Sequence, residues 1–229
     1  ILAIPVVLTL GSIRLLMFAV FLNIEYTRPG FPVDVYGFTT ADRLEYSPYA
    51  LNYILSDTGL SYFDDLRLPP EKCYPVSSSR DCPLYNDREL GHLHDVKVVV
   101  QMVFGIGLIM FGWMSISIML LWSLENPRRS LQRAFFQGSL LTLCTLISII
   151  ALVLGAWSVF FDTFHALFFE AGTWQFYFSD TLIRLYPQQF WFDASLIIGT
   201  LVMISTLLIF AGSWRWGQHQ SGYYQGMEN

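Results

Sequence analysis

The chain has 229 residues, of which 54% are hydrophobic, 17% aromatic and 14% charged. This apolar share is larger than that of a typical soluble domain and indicates an integral membrane protein. The formal net charge of −5 and the lack of a basic patch in the sequence exclude nucleic acid as a partner.

Four apolar stretches are long enough to cross a bilayer as helices, which takes about 20 residues each. They predict transmembrane helices at 1–24, 96–123, 134–161 and 194–216. The first contains one charge, Arg14, which either reaches to the membrane surface or has a buried partner such as a carboxylate or a lipid phosphate. Its apolar length exceeds that of a signal-peptide core, so we interpret it as a permanent anchor. The predicted fold class is an all-α membrane protein with four transmembrane helices.

The charges of the connecting segments orient these spans. The segment 124–133 contains three arginines against one glutamate, and loops rich in basic residues stay in the cytoplasm. The segment 162–193 contains one arginine against four acidic residues, so we expect an extracytoplasmic loop. Both termini are then cytoplasmic, including a tail at 217–229. The sequence thus predicts a multi-pass protein of the cytoplasmic membrane.

The segment 25–95, which joins the first two predicted spans, is expected to be extracytoplasmic. Thr39 and Asp42 have the spacing of a helix capping box, and leucines at helical spacing follow them. We expect a short amphipathic helix there, which either lies on the membrane surface or packs onto a small loop domain. Cys73 and Cys82 lie in the same segment, in a compartment where disulfides persist, and we predict that they form one.

Ionisable residues flank the second and third predicted spans, where polar groups near lipid are costly and call for a reason. If the chain around His92 is helical, Asp95 shares its face and orients the imidazole, while Lys97 stabilises a developing oxyanion or binds a lipid phosphate. Asp162 and His165 share a face among phenylalanines, where an imidazole is expected to be neutral and able to accept a proton. A polar helix start and a helix-end hydrogen bond are the simpler alternatives, and both stay open.

Other kinds of chemistry have less support. His92 and His94 could bind a metal together with His165 and an aspartate, but no third ligand has diagnostic spacing. The sequence has no Gly-x-Ser-x-Gly motif, and no cysteine is suitably placed near His92 or His165 for covalent catalysis. No histidine lies inside a predicted span, as haem ligation would require. We therefore expect no metal and no cofactor. If the protein is an enzyme, we expect a histidine general base without a covalent intermediate.

Two stretches of the chain resemble signatures of a bacterial integral-membrane family with four spans. The segment 92–97 resembles the first signature. The residues that resemble the second are Asp162, His165, Trp174, Asp180, Pro187 and Phe190. The characterised branch of the family is the lipoprotein intramolecular transacylase. That enzyme moves the sn-2 acyl chain of a diacylglyceryl-cysteine onto the α-amino group of the same cysteine.

The resemblance implies a membrane lipid or lipoprotein substrate and makes His92 and His165 the two functional histidines. Ester aminolysis needs a deprotonated amine and a stabilised oxyanion, which two histidines near the membrane surface can supply. We therefore predict that the two side chains lie within about 10 Å of each other, with Asp162 orienting His165 and Asp95 steadying His92. The competing hypothesis is a non-catalytic subunit of a larger respiratory or photosynthetic complex, with an apolar face covered by other membrane subunits.

Overall fold

The computed structural model describes residues 1–74, 82–124 and 126–225. These ranges are largely helical, in agreement with the predicted all-α class. The helices are Ala3–Leu16 (α1), Ala19–Thr27 (α2), Thr40–Leu55 (α3), Asp87–Trp122 (α4), Pro127–Gly155 (α5), Trp157–Phe168 (α6), Thr181–Leu185 (α7) and Gln188–Gln225 (α8). Two short 3-10 helices lie at Leu60–Phe63 and Pro70–Lys72.

Three helices of the described chain, α4, α5 and α8, are long and apolar enough to cross a membrane. A fourth crossing results if α1 and α2, which form a bent pair, count as one span. The predicted span 1–24 is thus broken at Met17 and Phe18 and is not one continuous helix. The number of four spans therefore remains a prediction.

Helix boundaries differ from the predicted spans where helical backbone continues into polar flanks. Helix α4 begins at Asp87, well before the predicted start of the second span, and α5 begins at Pro127, inside the predicted loop 124–133. The predicted span 134–161 is divided between α5 and α6 at Ala156. Glycine weakens a helix by about 1 kcal/mol relative to alanine, and Gly155 precedes this break. His165 therefore lies on a short helix of its own.

The described residues form two compact units. The apolar unit consists of the described parts of Ile1–Leu15, Val103–Ala156 and Ser195–Asn229. In this unit a Cβ atom at Gly107 would lie 2.7 Å from the Leu10 Cδ1 atom, so the glycine permits a close approach of α1 and α4. The aromatic unit consists of the described parts of Leu16–Met102 and Trp157–Ala194. All the residues of the predicted site belong to the aromatic unit.

Helix α3 begins at the predicted capping box. The Thr39 hydroxyl accepts a hydrogen bond from the Asp42 backbone N–H, and the Asp42 carboxylate accepts one from the Thr39 N–H. The helix packs against α2 and α7, with Tyr46, Ala50 and Tyr53 buried. This packing agrees with one of the two expected placements, a helix on a small loop domain, while the placement on the membrane surface stays a prediction.

Cys73 and Cys82 form the predicted disulfide. Cys82 is buried, and its carbonyl accepts a hydrogen bond from the Leu68 N–H at 2.8 Å. The disulfide therefore attaches the chain on both sides of residues 75–81, which lie outside the described residues, to the core of the aromatic unit.

Helix α7 has five residues and is fixed by a buried arginine. The guanidinium of Arg184 donates to the Asp34 carboxylate at 3.1 Å and to the carbonyls of Lys72 and Tyr36 at 2.8 and 3.0 Å. It also lies 3.5 Å from the centre of the Phe38 ring. A buried charge is tolerated when it is paired and hydrogen-bonded, and Arg184 is 2% exposed. The arginine thus holds α7 against the loop that precedes α3.

Candidate functional site

His92 and His165 lie side by side in the aromatic unit. Their ring centroids are 6.3 Å apart, and the planes of the rings differ by 23°. His92 is in the second turn of α4, and His165 is in the last turn of α6. The two rings are therefore closer than the predicted limit of about 10 Å, which leaves both within reach of one substrate carbonyl.

Aromatic side chains surround the histidine pair. Phe169 and Phe176 pack on His92, with ring centroids at 4.9 and 5.3 Å. Phe161 and Trp174 pack on His165, at 4.1 and 4.8 Å. These rings reduce the access of water to the imidazoles, and a medium poor in water disfavours their charged forms.

Burial lowers the pKa of both histidines. His92 precedes the predicted span and is 7% exposed. Its pKa falls to about 4, mainly through burial and further through repulsion from His165. Burial also lowers the pKa of His165, against the opposing effects of the Phe161 carbonyl and the Asp162 charge. Both imidazoles are therefore mainly neutral at pH 7.

The hydrogen bond of His165 determines its tautomer. Its Nδ1 atom lies 2.8 Å from the carbonyl oxygen of Phe161. A carbonyl can only accept, so Nδ1 carries the proton and Nε2 keeps a free lone pair. This contact corrects our expectation for Asp162, because the α6 backbone, and not that carboxylate, orients the ring. A side chain on a helix leans toward the preceding turn, where the carbonyl four residues earlier is within reach.

Neither Asp95 nor Lys97 forms a hydrogen bond with the Nδ1 atom of His92. Its Nδ1 atom is buried and has no hydrogen-bond partner in the described chain, so the carboxylate of Asp95 does not steady it there. Lys97 is about 140° from His92 around α4 and faces α3. Its ammonium donates to the Thr58 carbonyl and lies 4.3 Å from the centre of the Tyr53 ring. Lys97 thus lies away from His92, and its predicted role toward an oxyanion or a lipid phosphate stays a prediction.

Glu89, one turn before His92, is a residue that the sequence analysis missed. Its carboxylate is 1% exposed and accepts hydrogen bonds from the backbone N–H groups of Asn86 at 2.8 Å and Leu182 at 2.6 Å. Burial raises the pKa of Glu89 to about 7, although the two N–H groups act in the opposite direction. Glu89 thus joins the start of α4 to the start of α7. The signal in the sequence was the Asn-x-x-Glu spacing, which is typical of a helix start.

The described residues contain no group of three or more His, Cys, Asp or Glu arranged to hold a metal ion. His94 follows His92 by two residues on a continuous helix, which places the two side chains about 200° apart. His94 is accordingly exposed while His92 is buried. The two histidines that were considered as metal ligands therefore face opposite sides of α4.

Comparisons with known proteins identify a family and a fold. Residues 1–191 match the family model of the lipoprotein intramolecular transacylase Lit. An uncharacterized protein of Aquifex aeolicus (strain VF5) is 30% identical over 203 residues, 88% of this chain and 85% of its own. The in meso structure of the membrane integral lipoprotein intramolecular transacylase Lit from Bacillus cereus superposes with a TM-score of 0.71. The match covers 96% of this chain and 95% of that one at 17% identity, which establishes a common fold. With its apolar helices, the chain is a bacterial multi-pass membrane protein.

Proposed function

The chain belongs to the lipoprotein intramolecular transacylase Lit family, and on that premise we propose that it transfers an acyl chain within a lipidated lipoprotein. The nucleophile is the α-amino group of the diacylglyceryl-cysteine, and the electrophile is the carbonyl carbon of its sn-2 ester. An N–C bond forms, the ester C–O bond breaks, and a free glyceryl hydroxyl remains. The observation that carries this proposal is the pair of neutral imidazoles 6.3 Å apart among aromatic rings.

His165 is the general base of the proposed reaction. Its Nδ1–H donates to the Phe161 carbonyl, which leaves the lone pair of Nε2 to accept a proton from the attacking amine. A positioned base of this kind contributes about 10²–10⁴-fold to a rate. The same imidazole, once protonated, gives the proton to the departing glyceryl oxygen, so the step needs no further acid. Asp162 acts on His165 through its charge, which favours the protonated imidazole that forms during the reaction.

His92 is the residue that helps to stabilise the negative charge that develops on the substrate oxygen. Its ring is held between Phe169 and Phe176 next to His165, and its Nδ1 is free of protein partners within the described residues. A hydrogen bond to an oxygen of the substrate would give this buried nitrogen a partner. Lys97 contributes indirectly, because its contacts with α3 and the following turn hold the helix that carries His92.

The test uses the purified protein in liposomes with a synthetic diacylglyceryl-cysteine peptide, and mass spectrometry that distinguishes the O-acyl from the N-acyl product. We expect transfer by the wild type, a loss of about 100-fold or more for H165Q and for H92Q, and an unchanged rate for H94Q. H94Q is the matched control, because His94 is exposed and lies on the same helix as His92. Wild-type activity in H165Q would refute the assignment of the base.

One observation is compatible with the alternative of a non-catalytic subunit in a larger membrane complex. The most apolar stretch of α4 has no buried residue, and side chains such as Leu108 and Met119 are each 73% exposed. Lipid covers such a face as well as another subunit does. Purification from native membranes decides between them, because a stoichiometric partner protein together with wild-type behaviour of H165Q would favour the subunit.

A further inference from the structure

Trp174 has a buried hydrogen-bond donor without an acceptor. Its Nε1 atom is buried and has no hydrogen-bond partner in the described structure. Its indole ring lies 4.8 Å from the ring of His165 and 6.4 Å from that of Phe161, measured between centroids. Buried tryptophan N–H groups normally find a partner, and an unpaired one weakens the folded state. The donor beside the proposed base therefore calls for an explanation.

The turn that carries Trp174 is firmly held. Gly172 adopts a φ of +89°, which favours glycine, and the Thr173 N–H donates to the Glu170 carbonyl. Further along the same loop, Arg88 of α4 forms an ion pair with Asp180 at 2.7 Å. These contacts restrict the loop on both sides of Trp174, and the indole packs on His165 without any substrate being present. Preorganised donors are the most effective kind in catalysis, because they need no reorientation during the reaction.

A second buried indole shows what is particular to Trp174. The Nε1 atom of Trp157 is also unpartnered, but its ring contacts Phe160, Phe161 and Phe192 and no imidazole. Both indoles therefore have a buried N–H donor without an acceptor. Trp174 is the one whose ring packs directly on His165, the proposed base.

We propose that Trp174 is a catalytic residue whose Nε1–H donates to the carbonyl oxygen of the acyl ester under attack. This inference rests on the proposed transacylation. When the amine lone pair bonds to the carbonyl carbon, the π pair moves to that oxygen, and the indole N–H stabilises the resulting negative charge. The carbonyl then re-forms, the ester C–O bond breaks, and the proton taken by His165 from the amine passes to the glyceryl oxygen.

The first test compares W174F with W157F in the liposome assay. Both substitutions remove one buried N–H and shorten one aromatic side chain, so a merely structural effect is shared by both. We expect W174F to lower kcat by about 100-fold with little change in KM, and W157F to retain at least half of the wild-type kcat. A wild-type kcat in W174F, or an equal loss in both variants, overturns the proposal.

The second test does not depend on turnover. A phosphonate analogue of the diacylglyceryl ester carries a charged oxygen at the tetrahedral centre, whereas the diether analogue has no carbonyl oxygen. We expect W174F to bind the phosphonate about 100-fold more weakly than the wild type and the diether equally well. Equal phosphonate affinity in W174F and the wild type overturns the proposal. If the wild type shows no transfer, the proposed function fails, and the binding comparison still decides whether Trp174 stabilises an anionic oxygen.

Discussion

The replacement H92F is expected to make the protein more resistant to acid. The pKa of His92 is about 4 in the folded protein, against 6.5 for an ordinary histidine. Between these values the unfolded chain binds more protons than the folded one, so the contribution of His92 to stability is intact above pH 6.5 and is lost as the pH falls toward 4. Phenylalanine fits the surroundings of Phe169 and Phe176 and cannot be protonated.

The size of the effect follows from the two pKa values. Integration from pH 7 to pH 4 gives a loss of about 3 kcal/mol for the wild type that H92F does not suffer. The cost or gain of packing a larger ring is the same at both pH values and cancels when the two differences are compared.

The assay is unfolding in detergent micelles, followed at pH 7 and pH 4 for the wild type, H92F and F63L. Phe63 is 4% exposed in the core of the aromatic unit and has no titratable group. The difference in unfolding free energy between F63L and the wild type is therefore expected to stay constant with pH. The difference in unfolding free energy between H92F and the wild type is expected to grow by about 3 kcal/mol in favour of H92F as the pH falls from 7 to 4. A difference that stays constant would refute our account of a buried neutral imidazole.

Three further predictions concern stability and topology. E89A leaves the two N–H groups that bind Glu89 without acceptors and is expected to lower the free energy of unfolding by about 3 kcal/mol in thermal unfolding. The control E45A, at an exposed helical position, is expected to lower it by less than about 0.5 kcal/mol. Equal losses in the two variants would contradict the role of Glu89. Reduction of the disulfide between Cys73 and Cys82 is expected to remove about 2–3 kcal/mol, and both thiols should resist alkylation until reduced. A cysteine placed at Ser130 is expected to escape membrane-impermeant labels added to intact cells, and its labelling from outside would reverse the predicted topology.

Features that depend on neighbouring residues were readable from the sequence. The start of α3 follows from Thr39 and Asp42, because a capping box needs only two side chains three residues apart. The apolar helices follow from hydropathy, because the length of a span is set by the bilayer. The approach of His92 and His165 was predictable from their positions next to the ends of consecutive apolar stretches together with the family resemblance.

Features that depend on distant partners were not readable. The second hydrogen bond that the Glu89 carboxylate accepts comes from the Leu182 N–H, which reaches it only because α7 folds onto α4. The orienting group of His165 is a backbone carbonyl, which the pattern of side chains does not reveal. The contacts of Lys97 with Thr58 and Tyr53 were also not predictable, because the sequence shows its charge but not the groups that fold against it.

The anchoring of α7 by Arg184 has a consequence for how related sequences are classified. The stretch around this helix belongs to the signature by which the chain resembles its family, yet Arg184 contacts the loop before α3 and not the histidines. A homologue that kept Arg184 and Asp34 while losing His165 would retain the scaffold and lose the proposed base. We therefore expect the family to contain correctly folded members without transacylase activity. The presence of both histidines, more than the sequence around α7, should distinguish active members from inactive ones.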